Sequence, residues 1–138
     1  MIDYAHNPDG FRIFLSGIKD YYDSLVIVFG CGGDRDKLKR PEMLQVALEY
    51  GREIIFTSDN SRSEDFNDIL SDAIRGNDSN KVTAIEDRKI AIMKGAELIK
   101  DNDCLVILGK GHEETQETKN SIIHFSDHEV VNEIYKKF

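Results

Sequence analysis

The sequence predicts an α/β fold: a three-layer α/β/α Rossmann-like sandwich on a mostly parallel sheet, with an antiparallel hairpin edge near the C-terminus. Two observations carry this. Short apolar runs alternate with stretches of helical period, joined by short loops. Three of the apolar runs also lead straight into loops rich in glycine and charge. Leu25–Phe29 runs into Gly30–Arg35, Ile54–Thr57 into Ser58–Arg62, and Leu105–Leu108 into Gly109–Glu113. Parallel strands with right-handed crossovers put those loops on one rim, where open α/β sheets bind ligands.

Taken in order, Met1-Ile2-Asp3-Tyr4 resembles the end of a strand, as though cut from a longer chain. Asp9 to Tyr22 carries Phe11, Phe14, Leu15 and Ile18 on one helical stripe. Pro41 suits the first turn of a helix bearing Met43, Leu44, Ala47 and Leu48, and Gly51 suits a left-handed end. Phe66, Ile69, Leu70, Ala73 and Ile74 repeat the helical pattern up to Gly76. Val82–Ile85 reads as a fourth strand, and Asp87 as the cap of a helix through Lys100, in which Ala91 and Gly95 allow close packing on a sheet. Glu114–Lys119 and Ile122–Phe125 flank the Asn120-Ser121 turn as a hairpin. Ser126-x-x-Glu129 is a capping box opening a last helix with Val130, Val131, Ile134 and Phe138 on one face.

The 138 residues fit one domain, with 40% hydrophobic and 32% charged residues, an ordinary globular composition. No apolar run is long enough to span a bilayer and no leader pattern opens the chain, so a cytoplasmic location is expected. Cys104, inside an apolar run, reads as a small buried hydrophobe, and Cys31 as structural rather than reactive. A net charge of −8 argues against a nucleic-acid surface. Arg35, Lys37, Lys39 and Arg40 form one basic cluster, which reads either as a solvated loop before a helix or as a local anchor for small anions.

Several chemistries are not written here. Gly109-Lys110-Gly111 lacks the spacing and the hydroxyl of a phosphate loop, and Gly30-x-Gly32-Gly33 is only a partial dinucleotide fingerprint. No His/Cys cluster has zinc-ligand spacing, and none of the spacings argues for a catalytic triad.

Together the loops say more. Asp3-Tyr4-Ala5-His6-Asn7-Pro8, then Phe29 to Lys37 with Lys39-Arg40-Pro41, then Asp59-Asn60-Ser61-Arg62, then Gly109-Lys110-Gly111-His112-Glu113 resemble, in order and spacing, the C-terminal domain of the Mur ligases. The last two loops are similar to the type that adds diaminopimelate as the third residue of the peptidoglycan stem peptide. The resemblance covers essentially the whole chain. It implies an ATP-dependent amide synthesis in which a substrate carboxylate is phosphorylated and an amino acid's amine attacks the acyl phosphate. It also implies that residues 1–138 are one domain of a longer three-domain ligase and are inactive alone. ATP's phosphate loop and the magnesium ligands would lie in a central domain, and the UDP-muramoyl-dipeptide site in the domains beyond this one.

Carried over residue by residue, Arg35 and Arg62 match carboxylate-binding arginines; a guanidinium fork suits a planar carboxylate, each charge-assisted bond being worth roughly 1.5 to 3 kcal/mol. Asn60 adds an amide donor and Asp59 a negative group or a turn acceptor. Glu113 with the Gly109 carbonyl matches the ammonium side. A second carboxylate plus a second ammonium describes meso-diaminopimelate. Asp3 matches a contact to the ATP ribose, and His6 lies where the family approaches the phosphates, although a structural role for His6 and a helix-capping role for Arg62 stand beside these readings. Ser61 departs from the proline usual in the loop, which implies a less preorganised Arg62. The alternatives are a lysine-adding, cyanophycin-like or folylpolyglutamate-like ligase domain, or a stand-alone module binding a nucleotide or charged metabolite.

Overall fold

The computed structural model describes residues 1–136. Five strands, β1 (Ile2–Asp3), β2 (Leu25–Phe29), β3 (Glu53–Phe56), β4 (Val82–Ala84) and β5 (Cys104–Leu108), form one sheet in the order β1-β5-β2-β3-β4. Every pairing is parallel, and the register sets Phe29 beside both Phe56 and Leu108, so the β2, β3 and β5 loops leave the sheet at one level. β2 to β4 step outward in one direction, after which the chain returns to place β5 between β1 and β2. The loops that follow β2 and β5 therefore diverge at a topological switch point, the usual crevice of such sheets.

Alternation along the strands divides the side chains between two faces. Leu25, Ile27 and Phe29 pack with α1 (Pro8–Ile18), α2 (Lys39–Tyr50) and α3 (Phe66–Ile74) on one face. Val28, Ile55 and Ile107 pack with α4 (Arg88–Leu98) and α5 (Asp127–Lys136) on the other. Just below the rim, Phe11, Phe29, Phe56 and Phe66 meet in sequence, with ring centroids 5.0, 5.3 and 5.9 Å apart. The first two contacts are edge-on and the third is tilted; favourable aromatic pairs add about 0.5 to 1.5 kcal/mol each beyond area burial, and the series ties α1 and α3 to the strands whose loops build the rim.

Local signals account for most boundaries. Asn7 caps α1 by accepting from Gly10 N at 2.7 Å, with Pro8 at the first helical position. The predicted single helix to Tyr22 instead ends at Ile18 and tightens into a 3-10 turn over Lys19–Tyr21. Asp87 caps α4 through Ile90 N, and that helix stops at Leu98 rather than Lys100 because Asp103 takes the Lys100 N–H.

Gly51 is extended, with φ −94° and ψ 140°, not left-handed. A side chain there would meet Ile54 Cδ1 at 2.5 Å, so close packing rather than backbone sign calls for glycine. The hairpin forms as β6 (Thr115–Glu117) and β7 (Ile122–His124), but as a separate two-stranded sheet folded over the rim rather than as an extension of the main one. The capping box is half made: Ser126 Oγ accepts from Glu129 N, while the Glu129 carboxylate turns to His124 at 2.9 Å. Phe138, expected on the last helix, lies outside the described residues.

Candidate functional site

A cavity of about 340 Å³ opens at the rim between the loops after β1, β2, β3 and β5. Of the residues singled out in the sequence, His6, Arg35, Asp59, Asn60, Arg62, Gly109 and Glu113 all line it. Asp3 does not. Its carboxylate accepts from Ala5 N at 2.9 Å and its carbonyl from Gly109 N at 3.1 Å, so it holds the floor of the β1 and β5 loops together.

Two glycines let the loops approach. A Cβ on Gly33 would overlap Ser61 O, so the β2 and β3 loops touch backbone to backbone, sealed by Gly33 N donating to Asn60 O at 2.7 Å. Gly109 has φ +114°, and a side chain there would strike the Asp59 carboxylate at 2.7 Å.

Arg62 is held at φ +50°. Its Nη1 donates to Gly33 O at 2.9 Å, its backbone N to Glu117 O at 3.2 Å, and its Nε lies 3.6 Å from the Glu117 carboxylate. The guanidinium is thus aimed by loop carbonyls while Nη2 makes no hydrogen bond among the described residues. Arg35 is exposed, with a single bond from Nη1 to Asp34 O. His6 Nδ1 donates to Tyr4 O at 2.9 Å, and the ring meets that of Tyr4 edge-on.

The basic cluster is divided by the structure. Arg40 is buried, bonded to both oxygens of Glu64, to Asp72 and to Gly32 O. Burial works against its charge, but Glu64 and Asp72 outweigh that and hold its pKa above the ordinary value. The Arg40 hydrogen bond in turn draws the Glu64 carboxyl down to about 2. Lys37 lies 3.5 Å from Glu64. Arg35 and Lys39 remain on the cavity without such partners among the described residues. The Cys31 thiol is pushed up to about 12 by burial, against Met43 Sδ at 3.9 Å, so it is a packing group and not a nucleophile.

Beneath the cavity lies a buried polar layer that sequence reasoning did not find. Arg88 is fully buried and forms a two-point pair with Asp127, at 2.8 and 2.9 Å, while donating to Ser58 O and Leu108 O. Its burial is outweighed by Asp127, so its pKa is raised. Lys110, also fully buried, donates to Thr115 O at 2.5 Å and Asn60 Oδ1 at 3.3 Å and stands 3.8 Å from Glu113. Desolvation lowers its pKa. Gln116 Nε2 donates to Ser58 Oγ and Asp59 O. Lys110 stood inside a noticed motif without an assigned role. Arg88 and Asp127 each follow a helix-capping position, and no spacing rule pairs two residues so far apart.

This arrangement of guanidinium forks, an amide and a carboxylate around one crevice offers groups complementary to both carboxylates and ammonium groups. Comparison with known proteins gives the family. Residues 1–111 match the Mur ligase, glutamate ligase domain family. The chain is a Mur ligase C-terminal domain. This ligase domain is 46% identical, over 98% of its own length and 30% of the relative's, to the UDP-N-acetylmuramoyl-L-alanyl-D-glutamate–2,6-diaminopimelate ligase of Helicobacter pylori. It superposes on a solved ligase of the same name with a TM-score of 0.94 and 41% identity, covering 99% of this chain and 28% of that one. A Mycobacterium tuberculosis folylpolyglutamate synthase, solved with ADP and AMPPCP, shares the fold at a TM-score of 0.63 and 22% identity, over 78% of this chain and 26% of that one. The ligase domain thus spans less than a third of the length of the diaminopimelate ligases it matches.

Proposed function

We propose that this domain receives meso-diaminopimelate within a longer, three-domain, ATP-dependent ligase that joins it to UDP-N-acetylmuramoyl-L-alanyl-D-glutamate. The observation that carries the reading is the convergence of Arg35, Asn60, Arg62 and Glu113 on one cavity, in a chain whose relatives bear that activity in their names. Arg35 and Arg62 take carboxylates, Asn60 donates from its amide, and Glu113 with the Gly109 carbonyl takes an ammonium. Lysine, lacking the second carboxylate, leaves one fork without a partner, which a polar site penalises strongly.

ATP comes to the Asp3 and His6 side. His6 lies on the cavity, whereas Asp3 bears on the nucleotide only with the carboxylate oxygen that does not hold Ala5. Magnesium belongs with the nucleotide's phosphates on residues beyond this chain. Among the described residues no group of three or more His, Cys, Asp or Glu side chains is placed to hold a metal ion. What this chain supplies is positioning: it fixes the amino acid so that one amine meets an acyl phosphate formed elsewhere, and closure over it excludes water. A nucleotide-linked substrate and ATP fit work in the cytoplasm. No described helix is long and apolar enough to cross a membrane.

Amide-shift titration with meso-diaminopimelate tests the reading. Arg35, Asn60, Arg62 and Glu113 should respond before any other region, and shifts confined to α1 or to the opposite end of the sheet would overturn it.

A further inference from the structure

We infer that Lys110 is a positioning residue, which orients the Asn60 side-chain amide so that it offers hydrogen to the cavity and never oxygen. This rests on the diaminopimelate reading above and deepens it. A carboxamide has an accepting end and a donating end that differ little in shape, so a site must enforce one orientation. Asn60 Oδ1 is met by two groups that can only donate, Glu117 N at 2.9 Å and the Lys110 ammonium at 3.3 Å. Turning the amide over would set its NH₂ against both, with no acceptor for either. The Nδ2 end makes no bond among the described residues and is not enclosed, and Asn60 lines the cavity, so the donating end is the one left for a ligand there.

Lys110 is itself held from two further sides, by Thr115 O at 2.5 Å and the Glu113 carboxylate at 3.8 Å. One buried ammonium thereby links the group that donates to a ligand carboxylate with the one that accepts a ligand ammonium. Lys110 does not line the cavity, so its effect on a ligand passes through Asn60 and Glu113.

The test is steady-state kinetics of the full-length ligase. Lys110→Met, which keeps the stem and removes the donors, should raise KM for diaminopimelate roughly tenfold to a hundredfold, as misplaced positioning groups do, with KM for ATP little changed. Asn60→Ala should behave alike, and the double variant should be no worse than the worse single, because both changes remove one unit. Asn60→Asp covers the case in which Lys110→Met does not fold. It still accepts from Lys110 and Glu117 N, so it should fold normally, yet it shows the ligand carboxylate an acceptor and should lose diaminopimelate binding to a similar extent.

Lys110→Met with an unmoved diaminopimelate KM, equal losses for both substrates, additivity in the double variant, or an Asn60→Asp ligase with normal KM would each overturn the inference. A wild-type ligase that turns over without any dependence on diaminopimelate would instead overturn the functional reading itself.

Discussion

The two sides of the rim cavity are held in different ways. On the β3 and β5 side, the contacts join residues far apart in the chain: Arg88 with Asp127, Lys110 with Asn60, and Gln116 with Asp59, all from buried side chains. On the β1 and β2 side, Asp3 bonds Ala5, His6 bonds Tyr4, Asp36 bonds Leu38 and Arg35 bonds Asp34, partners one or two residues away and mostly exposed. The first side is set by buried side chains from across the fold; the second combines these local bonds with a few ties to the first, Gly33 N to Asn60 O, Gly109 N to Asp3 O and Asp34 N to Glu64. An amino-acid site needs its groups placed before the ligand arrives, because ordering them on binding subtracts from affinity. A surface that meets another domain gains from being adjustable.

The largest test of this difference is Arg88→Met. It strands Asp127 in the interior without its two-point partner, and losing one member of a buried pair costs about 3 to 5 kcal/mol. Urea unfolding of the chain should show that loss. The double change Arg88→Met with Asp127→Leu should recover most of it, since a buried pair and an apolar replacement are often nearly equivalent. A loss under about 1 kcal/mol, typical of a surface pair, would mean the β3 and β5 loops are no more firmly held than their neighbours.

Arg62→Ala tests whether that firmness serves recognition. If the fork reads the distal carboxylate, kcat/KM of the full-length ligase for diaminopimelate should fall by about 2 to 5 kcal/mol, and the weak use of lysine should fall far less. Arg62→Lys, made beside it, should be no rescue, since an ammonium cannot reproduce the fork. Equal losses for both amino acids would assign Arg62 to supporting the loop.

The same contrast explains what the sequence revealed. Strand and helix order, the Asp87 cap and the rim loops were legible because each depends on neighbours within a few positions. So was the cavity's membership, since strand-end loops of one sheet must share a rim. The buried layer was not, because Arg88, Lys110 and Asp127 read as ordinary surface charges until the fold brings their partners from 39 to 50 residues away. Arg40 shows the limit inside a single motif: within its basic cluster it resembled Arg35, yet it lies buried in the cavity wall with its guanidinium committed to Glu64 and Asp72.

Acid offers a third test, directed at a charged anchor on the β2 side. Glu64 accepts from Arg40 and from Asp34 N, and its carboxyl is lowered from 4.5 to about 2 by the Arg40 hydrogen bond. A depressed folded-state pKa contributes stability that is complete above the unfolded value and lost as pH falls through the folded one. Stability should therefore hold above about pH 4.5 and decline toward pH 2, by on the order of 2 to 3 kcal/mol from this group. Glu64→Gln should be less stable at neutral pH and show a flatter decline across that window. An unchanged acid limb would place the anchoring elsewhere.

The smallest effect is the most discriminating. Ser61 stands where the family usually has proline, and from sequence its loss implied a looser Arg62. The structure supplies other restraints: Asn60 Oδ1 accepts from Glu117 N, Glu117 O from Arg62 N, and Ser61 O from Glu64 N. Ser61 N donates to nothing among the described residues, so proline there deletes no bond. Ser61→Pro should then stabilise the chain by about 0.4 to 1 kcal/mol by narrowing the unfolded ensemble, while KM for diaminopimelate in the full-length ligase stays unchanged, because the hairpin already fixes Arg62. A lower KM would show that the loop still pays an ordering cost on binding. Destabilisation would show that the native backbone at Ser61 excludes the proline angle, and that the hairpin holds this loop in a shape of its own.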